Sequence, residues 1–203
     1  MTDQKTIQAY DKGAVEYHAD NQRNEMLQPH IARFLSLIPG KKILDLGCGS
    51  GRDAKIFLEN SVEYTGVDAS QGMLDHARQF TGKADCFLLA DFSNLSFPAE
   101  SFDGIWASAV LLHAEKKELA KILKNLHEIL KIGGIGFITL KPKKNIDEGM
   151  IAQEKWGGIE RYFSFYDIEE FSLYLKEAGF SIIETGKDFE PDGTEWLYFF
   201  IQK

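Results

Sequence analysis

Residues 43–51, Ile43-Leu44-Asp45-Leu46-Gly47-Cys48-Gly49-Ser50-Gly51, pass from an apolar run straight into a glycine-dense turn. The run reads as a buried strand. Glycines at alternate positions let the backbone take positive φ and leave no Cβ to block an approaching group. A helix can start at Arg52-Asp53 immediately afterwards, so the stretch has the form of a ligand-binding turn. Spacing and charge restrict the ligand. A dinucleotide fingerprint needs a third glycine three places after the second, where this chain has Arg52. A pyrophosphate at the helix start is also disfavoured by Asp45 and Asp53, which flank the loop. Both points oppose an NAD-dependent oxidoreductase and favour a ligand with a cationic or amine-bearing part.

Beyond the turn, apolar runs alternate with helical patterns. Strands are expected over 63–67, 86–89, 104–107 and 134–140, and helices over 72–80 and 116–130. Short continuous strands separated by amphipathic helices imply an α/β fold with a mostly parallel sheet covered on both faces. The end of the chain differs. A helix over 167–178 is stopped by Gly179, and strands over 180–184 and 195–201 are joined by a loop holding Pro191-Asp192-Gly193. That pattern predicts a hairpin and one antiparallel strand. With 203 residues, 44% of them hydrophobic, and no Pro- or Gly-rich linker, a single domain over 1–203 is expected.

Asp45-Leu46-Gly47-Cys48-Gly49-Ser50-Gly51 resembles motif I of the class I S-adenosylmethionine-dependent methyltransferases, of the small bacterial type. The later motifs follow in that family's order to the C-terminus. The resemblance implies a Rossmann-like, seven-stranded, mostly parallel sheet with an antiparallel last strand and helices on both faces. It also implies S-adenosylmethionine as cofactor and S-adenosylhomocysteine as product. Asp68 ends the second strand, and a carboxylate there can accept from both hydroxyls of a ribose. The competing reading makes Asp68 the cap of the next helix, a role that Ser70 can fill instead. Asp91-Phe92 follows the third strand, where the family contacts adenine. Met73 either packs on that ring or belongs to the core. Asp45 and the amides of Gly47, Gly49 and Gly51 would face the methionine part, with Ala69 and Ala107 bordering the same site. Arg52 would pair with the cofactor's carboxylate or cap the helix start.

Methyl transfer from a sulfonium is an in-line displacement from an activated donor, so it demands alignment, exclusion of water and sometimes a base, but no metal. The segment Ala107 to His113 lacks the Asn/Asp-Pro-Pro-Tyr/Phe signature of nucleobase amino-methyltransferases, which disfavours DNA adenine methylation. It resembles instead the Leu-Leu-His stretch of small bacterial methyltransferases of broad substrate range. His113 would be the general base, and the alternative is a helix-start or buried neutral histidine. The first 38 residues, with Tyr10, Tyr17 and His18, would fold as a helical lid over the methionine moiety. Core packing of the tyrosines is the other account.

Residues 141–165 would form a substrate-side loop running past Trp156-Gly157-Gly158. In it, Lys141, Lys143 and Lys144 suggest an anionic acceptor or a solvated charge run. Arg161-Tyr162-Phe163 with Trp196 resembles enzymes that finish wobble-uridine side chains on tRNA. A net charge of −8 opposes nonspecific binding to nucleic acid or to an anionic membrane. The expected function is methyl transfer to a small-molecule acceptor. A tRNA methyltransferase and a noncatalytic cofactor-binding module are the alternatives, and monomer and dimer stay open. Two cysteines, Cys48 and Cys86, no signal-like N-terminus and no apolar run near the roughly 20 residues of a bilayer span point to the cytoplasm.

Overall fold

The computed structural model describes residues 2–20, 25–152 and 160–203. Three helices open the chain, α1 (Gln4–Lys12), α2 (Ala14–Asp20) and α3 (Gln28–Leu37). The expected strand follows as β1 (Lys42–Leu46), buried at every position after Lys42. Then come α4 (Arg52–Glu59), β2 (Glu63–Asp68), α5 (Gln71–Thr81) and β3 (Phe87–Leu89). They are followed by β4 (Phe102–Ser108), α6 (Lys116–Ile129) and β5 (Leu130–Leu140). A ribbon of β6 (Glu148–Ala152) and β7 (Glu160–Ser164) precedes α7 (Ile168–Glu177), β8 (Ser181–Phe189) and β9 (Glu195–Gln202).

The seven-stranded sheet has the order β3-β2-β1-β4-β5-β9-β8. The strands from β3 to β5 pair in parallel, and β9 runs antiparallel to both β5 and β8. This is the mostly parallel sheet with a reversed last strand that the motif I resemblance implies. Local chemistry sets the helix ends. Ser70 accepts from Met73 N–H to cap α5, which Gly82 closes at φ 68°. Asp167 caps α7 by accepting from Glu170 N–H at 2.7 Å.

Two boundaries differ from the sequence reading by more than two residues, both through pairing that no local pattern shows. Strand β5 begins at Leu130, because Leu130 pairs with Phe102 before a register shift and regular pairing from Gly104 with Ile135. Strand β8 continues through Gly186 to Phe189, held by β9 as far as the Phe189–Glu195 pair, so the hairpin turn is shorter than expected. The stretch 141–165 also departs from a plain loop, because β6 and β7 pair within it. Trp156-Gly157-Gly158 lie outside the described residues.

The core beneath the site is aromatic. Trp106 and Phe137 stack at 4.1 Å between centroids, and Phe34 of α3 and Phe57 of α4 each meet Trp106 edge-on at 5.4 and 5.4 Å. Trp106 Nε1–H donates to Asp53 at 2.9 Å, which satisfies a buried indole and fixes the start of α4 against the sheet. Among the described residues no helix is long and apolar enough to cross a membrane.

Candidate active site

Strand order reverses between β1 and β4, the place where open α/β sheets form their ligand crevice. Two adjoining cavities lie there. The first is lined by Gly47, Gly49, Asp68, Ala69, Met73, Phe92 and His113, with Thr2, Thr6 and Tyr10 from the N-terminal segment. The second is lined by Asp45, Ser50, Arg52, Asp53, Thr139 and Trp196. Tyr17, Gly47, Gly49, Ser108 and Ala109 border both.

Gly49 has φ 54°, and a Cβ there would meet nothing nearer than the Tyr17 ring at 4.0 Å, so this backbone opens onto the cavity. Its N–H donates to Asp68 at 2.9 Å, as does that of Ser70. Burial pushes the Asp68 carboxyl up to about 6, and those two donors oppose the rise. Because Ser70 makes the α5 cap, Asp68 is left to face the first cavity. Asp45 is buried and accepts from the Tyr64 hydroxyl at 2.6 Å; desolvation, with the charge of Asp53, raises it to about 8. Arg52 forks onto Asp53 at 2.7 and 3.1 Å, so its charge is partnered within the protein. Met73 serves both readings, with 1% exposure and an edge on the first cavity.

Three expected cofactor residues lie elsewhere. Gly51 lines neither cavity. It starts α4 at φ 84°, and a Cβ there would press on the Ala77 backbone at 3.0 Å, so its role is to seat α4 on α5. Ala107 is fully buried in the core, and the lining passes to Ser108, the next side chain along the alternating strand, and to Ala109 just past its end. Asp91 lines neither cavity. Its carboxylate accepts from Thr2 N–H at 2.9 Å, the Thr2 hydroxyl at 2.8 Å and Ser93 N–H at 2.9 Å, and Phe92 alone of the pair reaches the cavity.

His113 sits in a 3₁₀ turn, Leu111–His113, and is buried. Its Nδ1 lies 2.6 Å from the Tyr162 carbonyl, which can only accept, so Nδ1 carries the proton. Nε2 then accepts from the Tyr10 hydroxyl at 2.8 Å. Desolvation lowers the imidazole pKa to about 3, and Arg161 and Lys141 add to the fall. Burial raises the Tyr10 phenol, with Arg161 opposing the rise.

The N-terminal helices are fastened over this site by polar contacts. Thr2 holds Asp91, Thr6 Oγ1 accepts from Tyr162 N–H at 2.8 Å, and Tyr10 holds His113. Asp11 accepts from the Ser70 hydroxyl at 2.6 Å and Gly72 N–H at 3.0 Å. Thr2, Thr6 and Ser108 did not stand out in the sequence. The four-residue interval of Thr6 and Tyr10 along one face of α1 is the signal that marks Thr6, while Thr2 lies ahead of the helix's N-cap, Asp3. Ala109, at φ 55°, is a non-glycine residue in left-handed backbone, held by its N–H to Thr139 Oγ1 at 2.9 Å.

A methyltransferase-domain family profile matches residues 44–138. The malonyl-[acyl-carrier protein] O-methyltransferase of Erwinia pyrifoliae is 31% identical over 88% of this chain and 69% of its own length. This chain belongs to the class I S-adenosylmethionine-dependent methyltransferases. Phosphoethanolamine N-methyltransferase 3 of Arabidopsis thaliana is 30% identical over 72% of this chain, which spans only 30% of that plant protein. The fold matches that of the Burkholderia thailandensis 1,6-didemethyltoxoflavin-N1-methyltransferase, solved with S-adenosylhomocysteine bound. The TM-score is 0.75 over 97% of this chain and 88% of that one, at 20% identity.

The family's cofactor is S-adenosylmethionine, and the residues present suit it: an open glycine turn, a carboxylate facing the first cavity, and apolar faces from Met73 and Phe92. Thermal stability of the methyltransferase is expected to rise with S-adenosylhomocysteine and to stay flat with NAD, since a ligand of the native state raises the midpoint by mass action. A scan in which only NAD shifts the midpoint would contradict the cofactor assignment.

Proposed function

We propose that this methyltransferase transfers a methyl group to a small-molecule acceptor, with the His113–Tyr10 pair receiving the acceptor's proton. The observation that carries the reading is the 2.8 Å contact between Tyr10 Oη and His113 Nε2 on the wall of the first cavity. Bound S-adenosylmethionine supplies a sulfonium-activated methyl group. Asp68, Ala69, Met73 and Phe92 would hold its nucleoside part, while Asp45, Gly47 and Gly49 would border the methionine part together with Tyr17.

The ring of His113 is fixed in one tautomer by the Tyr162 carbonyl, so its lone pair points at Tyr10 rather than at open solvent. A proton leaving the acceptor reaches that lone pair through the phenol: Tyr10 Oη accepts it while passing its own to Nε2. The imidazole stays neutral down to about pH 3 and is therefore ready to accept at neutral pH. Its low basicity suits a nucleophile that becomes strongly acidic on methylation, as a neutral hydroxyl oxygen does in forming an oxonium.

A small acceptor is supported by the net charge of −8 and by relatives named for phosphoethanolamine and for malonyl-[acyl-carrier protein]. Arg161, one of the residues behind the tRNA alternative, is buried against Tyr10 and Phe163 at 4.9 and 5.4 Å rather than spread on the surface. Transfer of labelled methyl from the cofactor to a metabolite extract is expected, with filter-binding to tRNA weak. Submicromolar tRNA affinity that falls steeply with salt would reverse the choice of acceptor.

A further inference from the structure

The three lysines that follow β5 look alike in the sequence and differ in the fold. Lys143 is paired with Asp147, and Lys144 is exposed. Lys141 is half-buried, with its ammonium 5.3 Å over the Trp196 ring and 5.9 Å over that of Phe163. No carboxylate among the described residues forms an ion pair with it. The carboxylates of the facing β8–β9 turn have other partners. Glu190 accepts from Trp196 Nε1–H at 2.8 Å, Asp192 from Thr194 N–H at 2.8 Å, and Glu195 pairs with Lys187 at 2.7 Å. Burial lowers the Lys141 pKa, which is the mark of a cation that has lost water; the charges of Glu190 and Asp192 oppose the fall, and those of Arg161 and Lys144 add to it.

Lys141 lines a third cavity of about 450 Å³, with Lys144, Phe165, Asp192 and Glu195. Trp196, beneath its ammonium, lines the second of the two cavities at the switch point. The cation therefore stands one ring away from the second cavity. A partly desolvated ammonium with aromatic faces on two sides and no ion-paired carboxylate among the described residues is balanced best by an anion brought by a ligand.

We infer that Lys141 is the anchor for an anionic group, carboxylate or phosphate, on the acceptor, and so selects acidic small molecules as substrates. This rests on the methyl-transfer reading above. The test first measures S-adenosylhomocysteine binding, and then titrates the saturated protein with inorganic phosphate and, separately, with malonate by calorimetry. At least one anion is expected to bind at millimolar concentration. That affinity should drop tenfold or more in Lys141→Met and stay unchanged in Lys143→Met, which removes the same charge from the same run. The Lys141→Arg variant is expected to restore it, and the relative strength of the two anions identifies the headgroup. Absence of S-adenosylhomocysteine binding would overturn the methyl-transfer reading and this one with it. If the product binds but neither anion does, or Lys141→Met and Lys143→Met behave alike, the Lys141 assignment alone is overturned.

Discussion

His113→Gln is expected to lower turnover by about 10²–10⁴-fold while leaving S-adenosylhomocysteine affinity near the wild-type value. Glutamine can donate to the Tyr162 carbonyl as Nδ1–H does, so the 3₁₀ turn and the β6–β7 ribbon keep their tie. What it lacks is a basic nitrogen opposite Tyr10 Oη. Tyr10→Phe separates the two members of the relay: it keeps the imidazole and removes the hydroxyl that carries the proton to it. A similar loss of turnover in both variants, with thermal midpoints and product binding intact, is the expected pattern. A purely structural histidine predicts another outcome, in which stability and cofactor retention fall together and turnover follows the amount of folded protein. An acceptor that arrives ionised needs no base, so near-normal turnover in a stable His113→Gln protein would remove the residue from catalysis. Because the imidazole titrates near 3, His113 should give no limb in the pH–rate profile close to 6.5.

Asp68→Ala should weaken S-adenosylhomocysteine binding by about 1.5–3 kcal/mol, the scale of hydrogen bonds to a charged group. That is on the order of 10- to 150-fold in the dissociation constant read by calorimetry. The carboxylate already accepts from the amides of Gly49 and Ser70, so it is fixed in position before any ribose arrives. Asp68→Asn keeps one carbonyl acceptor and should lose less. Unchanged affinity in a folded Asp68→Ala protein would take the residue out of the site. The pH dependence follows from the same group. Ribose hydroxyls donate to the ionised form, so the complex favours the carboxylate over the carboxylic acid. With the free-protein carboxyl raised to about 6, affinity is full above that value and declines as pH falls through it, because the bound proton must then be displaced. In the Asp68→Ala protein this decline should be absent.

The parts of the site that were legible in the sequence belong to one βαβ unit. Gly47, Gly49 and Asp68 are brought together by the pairing of β1 with β2, and strand alternation and turn chemistry are local signals that a sequence displays directly. The same holds for the caps at Ser70 and Asp167 and for the stop at Gly179. The other half was decided by contacts between distant segments. Thr2 meets Asp91 across 89 residues, Tyr10 meets His113 across 103, and Thr6 meets Tyr162 across 156. Nothing in the local pattern around Asp91 shows that its lone pairs are taken by the N-terminus, and nothing around His113 shows which tautomer it holds. Lys141 and Lys143 make the same point, since charge and spacing are common to both and only the neighbours differ: an Asp147 carboxylate for one, two aromatic faces for the other. The sequence by itself determined the sheet and the glycine turn, because periodicity and turn conformation are properties of neighbouring residues. Tertiary structure decided what the N-terminal segment holds, which tautomer His113 takes and which of the lysines is half-buried, because hydrogen-bond partners and desolvation depend on which distant surfaces the folded chain presses together.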